Sequence, residues 1–154
     1  MSDRNVTPGA PPDEPRGELS VRMLAMPADA NPAGDIFGGY IMSLMDVAGG
    51  ISATILAGGR VATVAVTDMA FHLPVKVGDV VCCYTDLLRI GRTSLTLRVE
   101  AWAMHQRIGD RIKVTSADFT YVALDEAGQP RPVPRAAAPS RPETSRSETS
   151  RPET

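Results

Sequence analysis

The central run GGYIMSLMDVAGGISATILA constrains the fold most, because it contains no proline over about 20 residues. It is too long for a typical strand and has the length of a helix, and the glycine pair 58–59 that follows it is a typical helix stop. Five strand-like segments surround it, with glycine-containing turns between the last four. The predicted strands are residues 19–26, 61–71, 80–90, 94–106 and 111–124. This order, with a helix from residue 38 or 39 to 57, predicts an α+β fold in which an antiparallel sheet curls around one helix.

The distribution of prolines limits the folded region. Only three of the 13 prolines lie between the first predicted strand and the last, and the others crowd the two ends of the chain. The first residues are polar, and the end of the chain is a threefold repeat of the SRPET type without an apolar side chain. We therefore predict a disordered leader at 1–17, one domain at 18–134 and a disordered tail at 135–154.

The predicted layout has strand edges and a sheet face with nothing to cover them. One sheet on one helix leaves these surfaces exposed, and only 5% of the residues are aromatic. A second copy that extends or covers the sheet would remove the exposure. The sequence therefore predicts a homodimer.

Charge and cysteine content exclude several classes of partner. The formal net charge is -2 with both signs interspersed, so there is no basic stripe and nucleic acid is not expected as a partner. No basic segment leads into an apolar run and no stretch approaches ~18 uninterrupted apolar residues, so neither secretion nor a membrane span is supported. Cys82 and Cys83 are neighbours on a predicted strand, where a disulfide between them would be strained. They are predicted to be inert thiols of a cytoplasmic protein.

The predicted helix has two contrasting faces when its residues are laid out at about 100° each. Apolar residues recur on one stripe, the expected core face: Ile41, Leu44, Ala48, Ile51 and Ile55. Small residues share the opposite stripe with Asp46: Gly39, Ser43, Gly50, Ala53 and Ala57. Asp46 is the only charged residue of the helix. Small neighbours let another backbone or a slender ligand come close to this carboxylate.

Asp46 has two interpretations. An isolated charge on the solvent side of an amphipathic helix needs no function. However, a solvated face ordinarily carries several Lys, Glu, Gln or Arg residues, and this helix has none. A partly desolvated carboxylate in such a covered helix is a candidate general base or nucleophile.

Gly38 and Gly39 open the helix and also have two interpretations. They form a tight turn into the helix, or they let a ligand approach backbone N–H groups that have no helical acceptor. These N–H groups lie at the positive end of the helix dipole, where an oxyanion that forms at a carbonyl is stabilised.

Several separated segments together carry a family resemblance. They are LAMPADANPAGDIFGGYIMSLMDVAGG at 24–50, GRVATVAV at 59–66, FHLPVKVGDVVCCY at 71–84 and RIGRTSLTLRVE at 89–100. In this order they resemble the YciA-like acyl-CoA thioesterases of the hotdog fold, over nearly all of residues 19–134. The resemblance implies a hotdog domain, in which an antiparallel sheet of five to six strands wraps around one long central helix.

The resemblance also implies a reaction and an assembly. Members of this family cleave acyl-coenzyme A to a free acid and coenzyme A, so the coenzyme is part of the substrate and product, and no other cofactor and no metal is expected. They form homodimers that often assemble further into hexamers, as trimers of dimers, with active sites between two subunits.

Site residues follow from the resemblance by position. Asp46 matches the family's catalytic carboxylate, which acts on water or on the thioester directly. Asn31 and Asp35 match polar residues of the opposing subunit's half-site. The backbone at Gly38 and Gly39 matches the group that polarises the carbonyl.

Coenzyme A carries phosphates, which require basic groups near the site. The candidates lie at turns or strand ends of the matching segments: Arg60, Arg89, Arg92 and Ser94. The alternative for each arginine is an ordinary solvated charge at a strand end. His72 is a candidate for lining the acyl or pantetheine channel, with an ordinary strand-end histidine as the alternative. The spacing of His72 and His105 does not indicate a metal site.

Two other functions stay open from the sequence. A hotdog-fold hydratase or dehydratase also acts on acyl thioesters, but that chemistry usually needs a histidine paired with a carboxylate, and neither histidine lies on the long helix. A non-catalytic acyl-CoA sensor would bind its ligand at the helix start and the arginines without turnover.

Overall fold

The computed structural model describes residues 14–105 and 110–135. Most of the predicted leader, residues 1–13, and of the predicted tail, residues 136–154, lies outside the described residues. A short 3-10 turn, Pro27–Asp29, lies between the first strand and the helix. The main elements are β1 (Glu18–Leu24), α1 (Gly38–Ala57), β2 (Val61–Phe71), β3 (Val80–Ile90), β4 (Ser94–Met104) and β5 (Arg111–Ala123).

The element boundaries follow the sequence signals closely. β2 and β3 have both ends at the predicted residues, and the other three strands end one or two residues earlier than predicted. α1 occupies the predicted range and stops at Gly58, whose φ of 67° is a left-handed backbone that favours glycine. The N–H of Gly58 donates to the main-chain oxygen of Ile55 at 3.3 Å, which closes the last turn.

The described strands form one antiparallel sheet in the order β1-β3-β4-β5-β2. β1 and β2 are therefore the edges. Because the sheet curls around α1, the helix packs against every one of these strands. A five-stranded antiparallel sheet wrapped around one long helix confirms the fold that the sequence predicts.

The predicted core face of α1 is confirmed at Ile41, Leu44 and Ala48, which are buried, and is wrong at its last two positions. Ile51 and Ile55, which the sequence assigns to the core face, are 45% and 75% exposed. Ala53 and Ala57, which the sequence assigns to the opposite face, are fully buried. A tightly curled sheet approaches the helix most closely where side chains are small, so it selects the alanine stripe, and the larger isoleucines are left on the outside.

α1 also has the length and apolar content of a membrane-spanning helix, with a mean hydropathy of 1.5. In the described part of the chain it is the one helix that meets this criterion. Its place in the fold accounts for its composition, because a helix enclosed by a curled sheet is apolar on most of its surface.

Cys82 and Cys83 are buried free thiols on opposite faces of β3. Cys83 belongs to the core beneath α1, whereas Cys82 packs with Tyr84 and Trp102 in a separate cluster. That cluster lies on the outer face of the sheet, away from α1, because successive strand residues point to opposite faces. Burial, with a smaller effect from Cys82, raises the pKa of the Cys83 thiol to about 12. Cys83 is therefore protonated, and so unreactive, near neutral pH.

Contacts with the sheet begin before the predicted domain boundary at residue 18. The backbone N–H of Arg16 donates to Oε1 of Glu100 at 2.9 Å, and Glu100 is a buried residue of β4. Lys113 on β5 lies 3.2 Å from the other carboxylate oxygen of Glu100. Gly17 has a φ of 82°, and a Cβ there would lie 2.0 Å from the main-chain oxygen of Thr85. Only glycine therefore lets the chain pass this close to β3.

Candidate active site

Asp46 lies in the middle of α1, half-buried, with its carboxylate held by two strands. The hydroxyl of Thr63 on β2 donates to Oδ1 of Asp46 at 2.7 Å. The hydroxyl of Tyr121 on β5 lies 3.2 Å from the same oxygen and 3.1 Å from the main-chain oxygen of Asp46. Both side-chain contacts therefore fix Oδ1, which leaves Oδ2 as the oxygen directed away from these two donors.

Tyr121 reaches Asp46 because the helix has no side chain at Gly49. A Cβ at Gly49 would lie 2.2 Å from the Tyr121 hydroxyl oxygen. Burial is the main cause that raises the pKa of Tyr121, and the charge of Asp46 and the hydrogen bond to it act in the same direction. Tyr121 is therefore a protonated donor over the physiological pH range.

Sequence reasoning missed Thr63, Tyr121 and Gly49 as partners of Asp46. Thr63 and Tyr121 are direct neighbours across β2 and β5 although they are far apart in the chain. No local pattern gives this register. Gly49 carried a weak signal, since it is next to Gly50 on the small-residue side of the predicted helix.

The start of α1 opens into an apolar cavity. Gly38 and Gly39 are the first two helical residues and are exposed, so their N–H groups precede the first intrahelical hydrogen bonds. The cavity has a volume of about 340 Å³, and its lining includes Gly38, Ile41, Phe71 and His72. The structure thus places His72 beside the helix start.

Asn31 and Asp35 shape the loop that leads into α1. The side-chain oxygen of Asn31 accepts hydrogen bonds from the backbone N–H groups of Ala33 and Asp35, at 3.0 and 3.1 Å. The carboxylate of Asp35 forms an ion pair with Lys76. Asn31 therefore holds the turn within this loop, and Asp35 ties the loop to the segment that precedes β3.

The helix start and the carboxylate are separated along the same helix. Asp46 follows Gly38 by eight residues, which corresponds to about 12 Å along the axis at ~1.5 Å per residue. A carbonyl oxygen held by the N–H groups of Gly38 and Gly39 is therefore beyond the reach of Asp46 in the same chain. A site that uses both groups requires two chains.

The candidate phosphate-binding residues lie toward the other end of α1. Arg92 and Arg135 line a common cavity of about 750 Å³. Arg60 is exposed directly after the helix, and its main-chain oxygen accepts a hydrogen bond from Leu124 at 2.9 Å. Ser94 is half-buried, and its main-chain oxygen accepts a hydrogen bond from Gly91 at 2.7 Å. Arg135 was missed in the sequence, because it lies at the predicted boundary of the tail.

Arg92 is the one predicted binding residue that lines this cavity; the other four do not, namely Arg60, His72, Arg89 and Ser94. Arg89 is exposed on β3, beside a register irregularity of its pairing with β4. His72 is at the helix start, far from the arginines along α1. The structure therefore divides the candidate binding residues of one chain between the two ends of the helix.

A metal centre is not indicated in the part of the chain that the structure describes. There, no group of three or more histidine, cysteine, aspartate or glutamate side chains is close enough to hold a metal ion. His105 instead forms a pair with Asp79, with 2.6 Å between Nδ1 and Oδ1.

Comparison with known proteins identifies relatives over most of the chain. The sequence model described as "Thioesterase superfamily" matches residues 33–109. Acyl-CoA thioester hydrolase YciA of Salmonella typhimurium is 53% identical over 123 residues, which cover 78% of this chain and 92% of the relative.

Two solved structures show the same relation in three dimensions. The hexameric thioesterase y2039 from Yersinia pestis is 53% identical with a TM-score of 0.75, and the match covers 79% of this chain and 98% of that one. The hexameric hotdog fold thioesterase Cj0915 of Campylobacter jejuni is 39% identical with a TM-score of 0.74, covering 79% and 93% of the two chains. The described domain is thus similar to nearly complete proteins.

Proposed function

This chain belongs to the thioesterase superfamily and has the hotdog fold, and from this premise we propose that it hydrolyses acyl-coenzyme A to a free acid and coenzyme A. The names of the relatives support the substrate class. The position of Asp46, held by Thr63 and Tyr121 in an otherwise uncharged helix, is the observation that carries the proposal.

Asp46 supplies the carboxylate for the reaction through its Oδ2 atom. As a general base, it takes a proton from water while the water oxygen bonds to the carbonyl carbon of the thioester. The carbon–sulfur bond then breaks, and the sulfur receives the proton. As a nucleophile, Oδ2 bonds to the carbonyl carbon and releases the thiolate, and water then cleaves the mixed anhydride. Both routes need a carboxylate in a fixed orientation, and the hydroxyl groups of Thr63 and Tyr121 hold it in that orientation.

The N–H groups of Gly38 and Gly39 from a second chain polarise the carbonyl. They lie roughly 10 to 12 Å along the helix axis from Asp46 of their own chain, so they complete the site of a partner. Asn31 and Asp35 come with them, because they shape the loop that precedes this helix start.

The assembly that this site requires is a homodimer. β2 is a sheet edge with exposed apolar side chains, including Val64 and Val66, and it also carries Thr63. Pairing through this edge would extend the sheet and bring a second chain close to Asp46. Both solved relatives are described as hexameric, which supports a trimer of such dimers.

The substrate is bound at both ends of the helix by residues of different chains. Arg92 and Arg135 contact phosphate of coenzyme A, with Arg60, Arg89 and Ser94 as further contacts. The apolar cavity at Gly38, lined by His72, takes the acyl or pantetheine portion. No cofactor is needed beyond the substrate itself, and the unpaired cysteines fit the reducing cytoplasm.

Release of free thiol from acyl-CoA substrates of different chain lengths tests this function. We expect turnover by the wild type and a loss of at least ~100-fold in kcat for Asp46→Asn, because the variant lacks the positioned base but keeps the size of the side chain. Coenzyme A binding and the unfolding temperature should change little. Asp110→Asn removes an exposed carboxylate elsewhere and should keep full activity.

Other outcomes of this assay identify the alternatives. A changed acyl-chain unsaturation without thiol release would indicate a hydratase or dehydratase. Binding of acyl-CoA without any conversion would indicate a sensor. Near-normal thiol release by Asp46→Asn would remove Asp46 from the mechanism.

A further inference from the structure

A second cavity adjoins the apolar cavity at the start of α1. It has a volume of about 230 Å³, and we call it the end cavity. The two cavities share three lining residues, Leu73, Pro74 and Val114, so they meet at one common wall. Val114 is a buried residue of β5, and its main-chain oxygen accepts a hydrogen bond from the N–H of His72 at 3.0 Å. This bond ties the segment after β2 to β5 at the point where the cavities meet.

Ala103 and Ile112 lie in the part of the end cavity that the apolar cavity does not share. They are direct neighbours across β4 and β5, and both line the end cavity. Residues opposite each other in an antiparallel pair have Cβ atoms about 4.5–5.5 Å apart, so these two side chains form one apolar wall. Ala103 is buried, whereas Ile112 is 39% exposed. The size of the side chains at these two positions therefore sets the depth of the end cavity.

Two basic side chains also line the end cavity, and each is paired with a carboxylate. Lys76 forms the ion pair with Asp35. Nδ1 of His105 lies 2.6 Å from Oδ1 of Asp79, which is buried. An anionic group of a ligand would therefore compete with Asp35 and Asp79 for these basic side chains. The end cavity suits an uncharged, apolar group of a ligand better than a carboxylate.

An acyl thioester that is polarised at Gly38 has two arms to place. The pantetheine arm carries amide groups, and each amide loses free energy on burial unless it finds hydrogen-bond partners. The acyl arm is a hydrocarbon chain, which gains free energy from burial against apolar walls. Among the described residues that line the two cavities, the side chains other than those of His72, Lys76 and His105 are apolar, and Gly38 has none. The walls therefore match the acyl arm.

We propose that the acyl chain of the substrate runs from the carbonyl at Gly38 through the apolar cavity, past Val114, into the end cavity. Ala103 and Ile112 limit its length. They are specificity-determining residues, because they contact the end of a long chain and no part of a short one. This inference rests on the proposed function and adds to it the class of substrate, which is acyl-CoA with an uncharged hydrocarbon chain that reaches the end cavity.

Thiol release from a series of substrates, from butanoyl-CoA to hexadecanoyl-CoA, tests this path. In the wild type, kcat/KM should rise by up to about fourfold for each methylene group that reaches an apolar wall, and it should stop rising once the chain meets Ile112. Ile112→Trp fills the end cavity, so kcat/KM should stop rising at a shorter chain. For the longest chains that the wild type accepts, it should fall by about tenfold or more. Hydrolysis of butanoyl-CoA should be unchanged.

Two further variants separate this effect from a general one. Leu88→Trp is the matched control, because Leu88 is a strand residue with 42% exposure that lines neither cavity. Its chain-length profile should be that of the wild type. Ala103→Val adds bulk to the same wall from β4 and should shorten the profile in the same direction as Ile112→Trp. The unfolding temperature shows whether each variant is folded.

The possible results decide between the path and the reaction itself. The path is wrong if both variants of the wall, when folded, hydrolyse butanoyl-CoA and keep the wild-type profile, or if Leu88→Trp shortens the profile as much. It is also wrong if an acyl-CoA with a terminal carboxylate is hydrolysed faster than the uncharged substrate of the same length, since Lys76 or His105 would then bind an anion. An absence of thiol release from every substrate would overturn the proposed function, and this inference with it.

Discussion

Side chains that are distant in the sequence orient the carboxylate of Asp46. Thr63 and Tyr121 face each other across β2 and β5, and both contact Oδ1. A carboxylate on an isolated helix would rotate among several orientations. Two donors from the sheet restrict it, and a restricted base is what general base catalysis requires.

Tyr121→Phe should lower kcat by about tenfold with little change in KM, because losing one hydrogen bond of ~1.4 kcal/mol corresponds to a factor of ten. The unfolding temperature should change less, since the ring stays in the core. Steady-state kinetics on one acyl-CoA measures this split. Tyr84→Phe removes a tyrosine hydroxyl from the outer face and should keep the wild-type kcat. An unchanged kcat for Tyr121→Phe would mean that this contact does not position Asp46.

Gly49→Ala should destabilise the fold by ~1–3 kcal/mol and displace Tyr121, because the new Cβ would lie 2.2 Å from its hydroxyl oxygen. Gly50→Ala is the matched control, since its Cβ would meet Tyr121 only at 3.9 Å. That variant should be neutral or stabilised by about 0.5–1 kcal/mol, as expected for glycine replaced in a helix interior. Urea denaturation of the two variants measures the difference. Equal stabilities would contradict the close approach at Gly49.

At the scale of elements, the faces of β3 have different roles. Its inner face contributes Cys83 to the core beneath α1, and its outer face contributes Cys82 and Tyr84 to the separate cluster. The outer cluster is buried without a helix above it, and Glu14 and Pro15 lie beside it. An antiparallel sheet with one covered face ordinarily has polar residues on the other.

The fold should lose stability at alkaline pH through Cys83. Its pKa rises from 9.0 to about 12 on folding, so between these pH values the unfolded thiol has lost its proton and the folded one has not. The unfolded state then binds fewer protons, and the free energy of unfolding falls as the pH rises; below pH 9 the contribution is fully present. The raised pKa of Tyr121 acts in the same direction. Urea denaturation at about pH 8 and about pH 10.5 should show a smaller loss for Cys83→Ala than for the wild type. An identical loss in both proteins would exclude Cys83 as a source.

α1 shows how one element serves several surfaces. Its small residues face the sheet, its start opens into the apolar cavity, and its exposed isoleucines remain available for contact with another chain. The absence of side chains at Gly49 and of bulk at Ala53 lets strands come close. In the sequence, the small residues of α1 indicated a face that a ligand could approach. In the fold, they allow close packing against the strands.

At the scale of the whole molecule, the proposed site divides between two chains. Asp46 and Gly38 lie on one rigid helix, about 12 Å apart along its axis, and bending that helix cannot bring them together. The exposed edge strand β2 offers the route by which a second copy approaches. From the proposed site we therefore expect dimer formation to be a condition for activity and not only for stability.

Mixed dimers of two inactive variants should recover activity. Asp46→Asn removes the carboxylate. Gly39→Val blocks the helix start, and it fits within its own chain because a Cβ at this position meets no atom within 4 Å. Random pairing gives heterodimers with one intact site out of two, so co-expression should recover about a quarter of the wild-type thiol release. Each variant alone should stay near background. If no activity returns although mass spectrometry shows heterodimers, both groups act from one chain.

The sequence by itself determined the order, type and length of the elements, and it singled out Asp46 and the glycine pair at the helix start. These are local properties: a proline-free run ended by glycines specifies a helix, and strand residues that alternate specify two faces, as Cys82 and Cys83 show. The predicted homodimer followed from the uncovered edges and face of the sheet, and the family resemblance added the hexamer and the reaction, which no local pattern carries.

Only the tertiary structure decided how α1 is rotated, which hydroxyls hold Asp46, and that Trp102 is buried with Cys82 and Tyr84. The rotation depends on how tightly the sheet curls, since the nearest strands select Ala53 over Ile55. The Thr63 and Tyr121 contacts depend on the register between β2 and β5, which are far apart in the chain. Such features come from the packing of all the elements at once, and the free energy of that packing is not a property of any single segment.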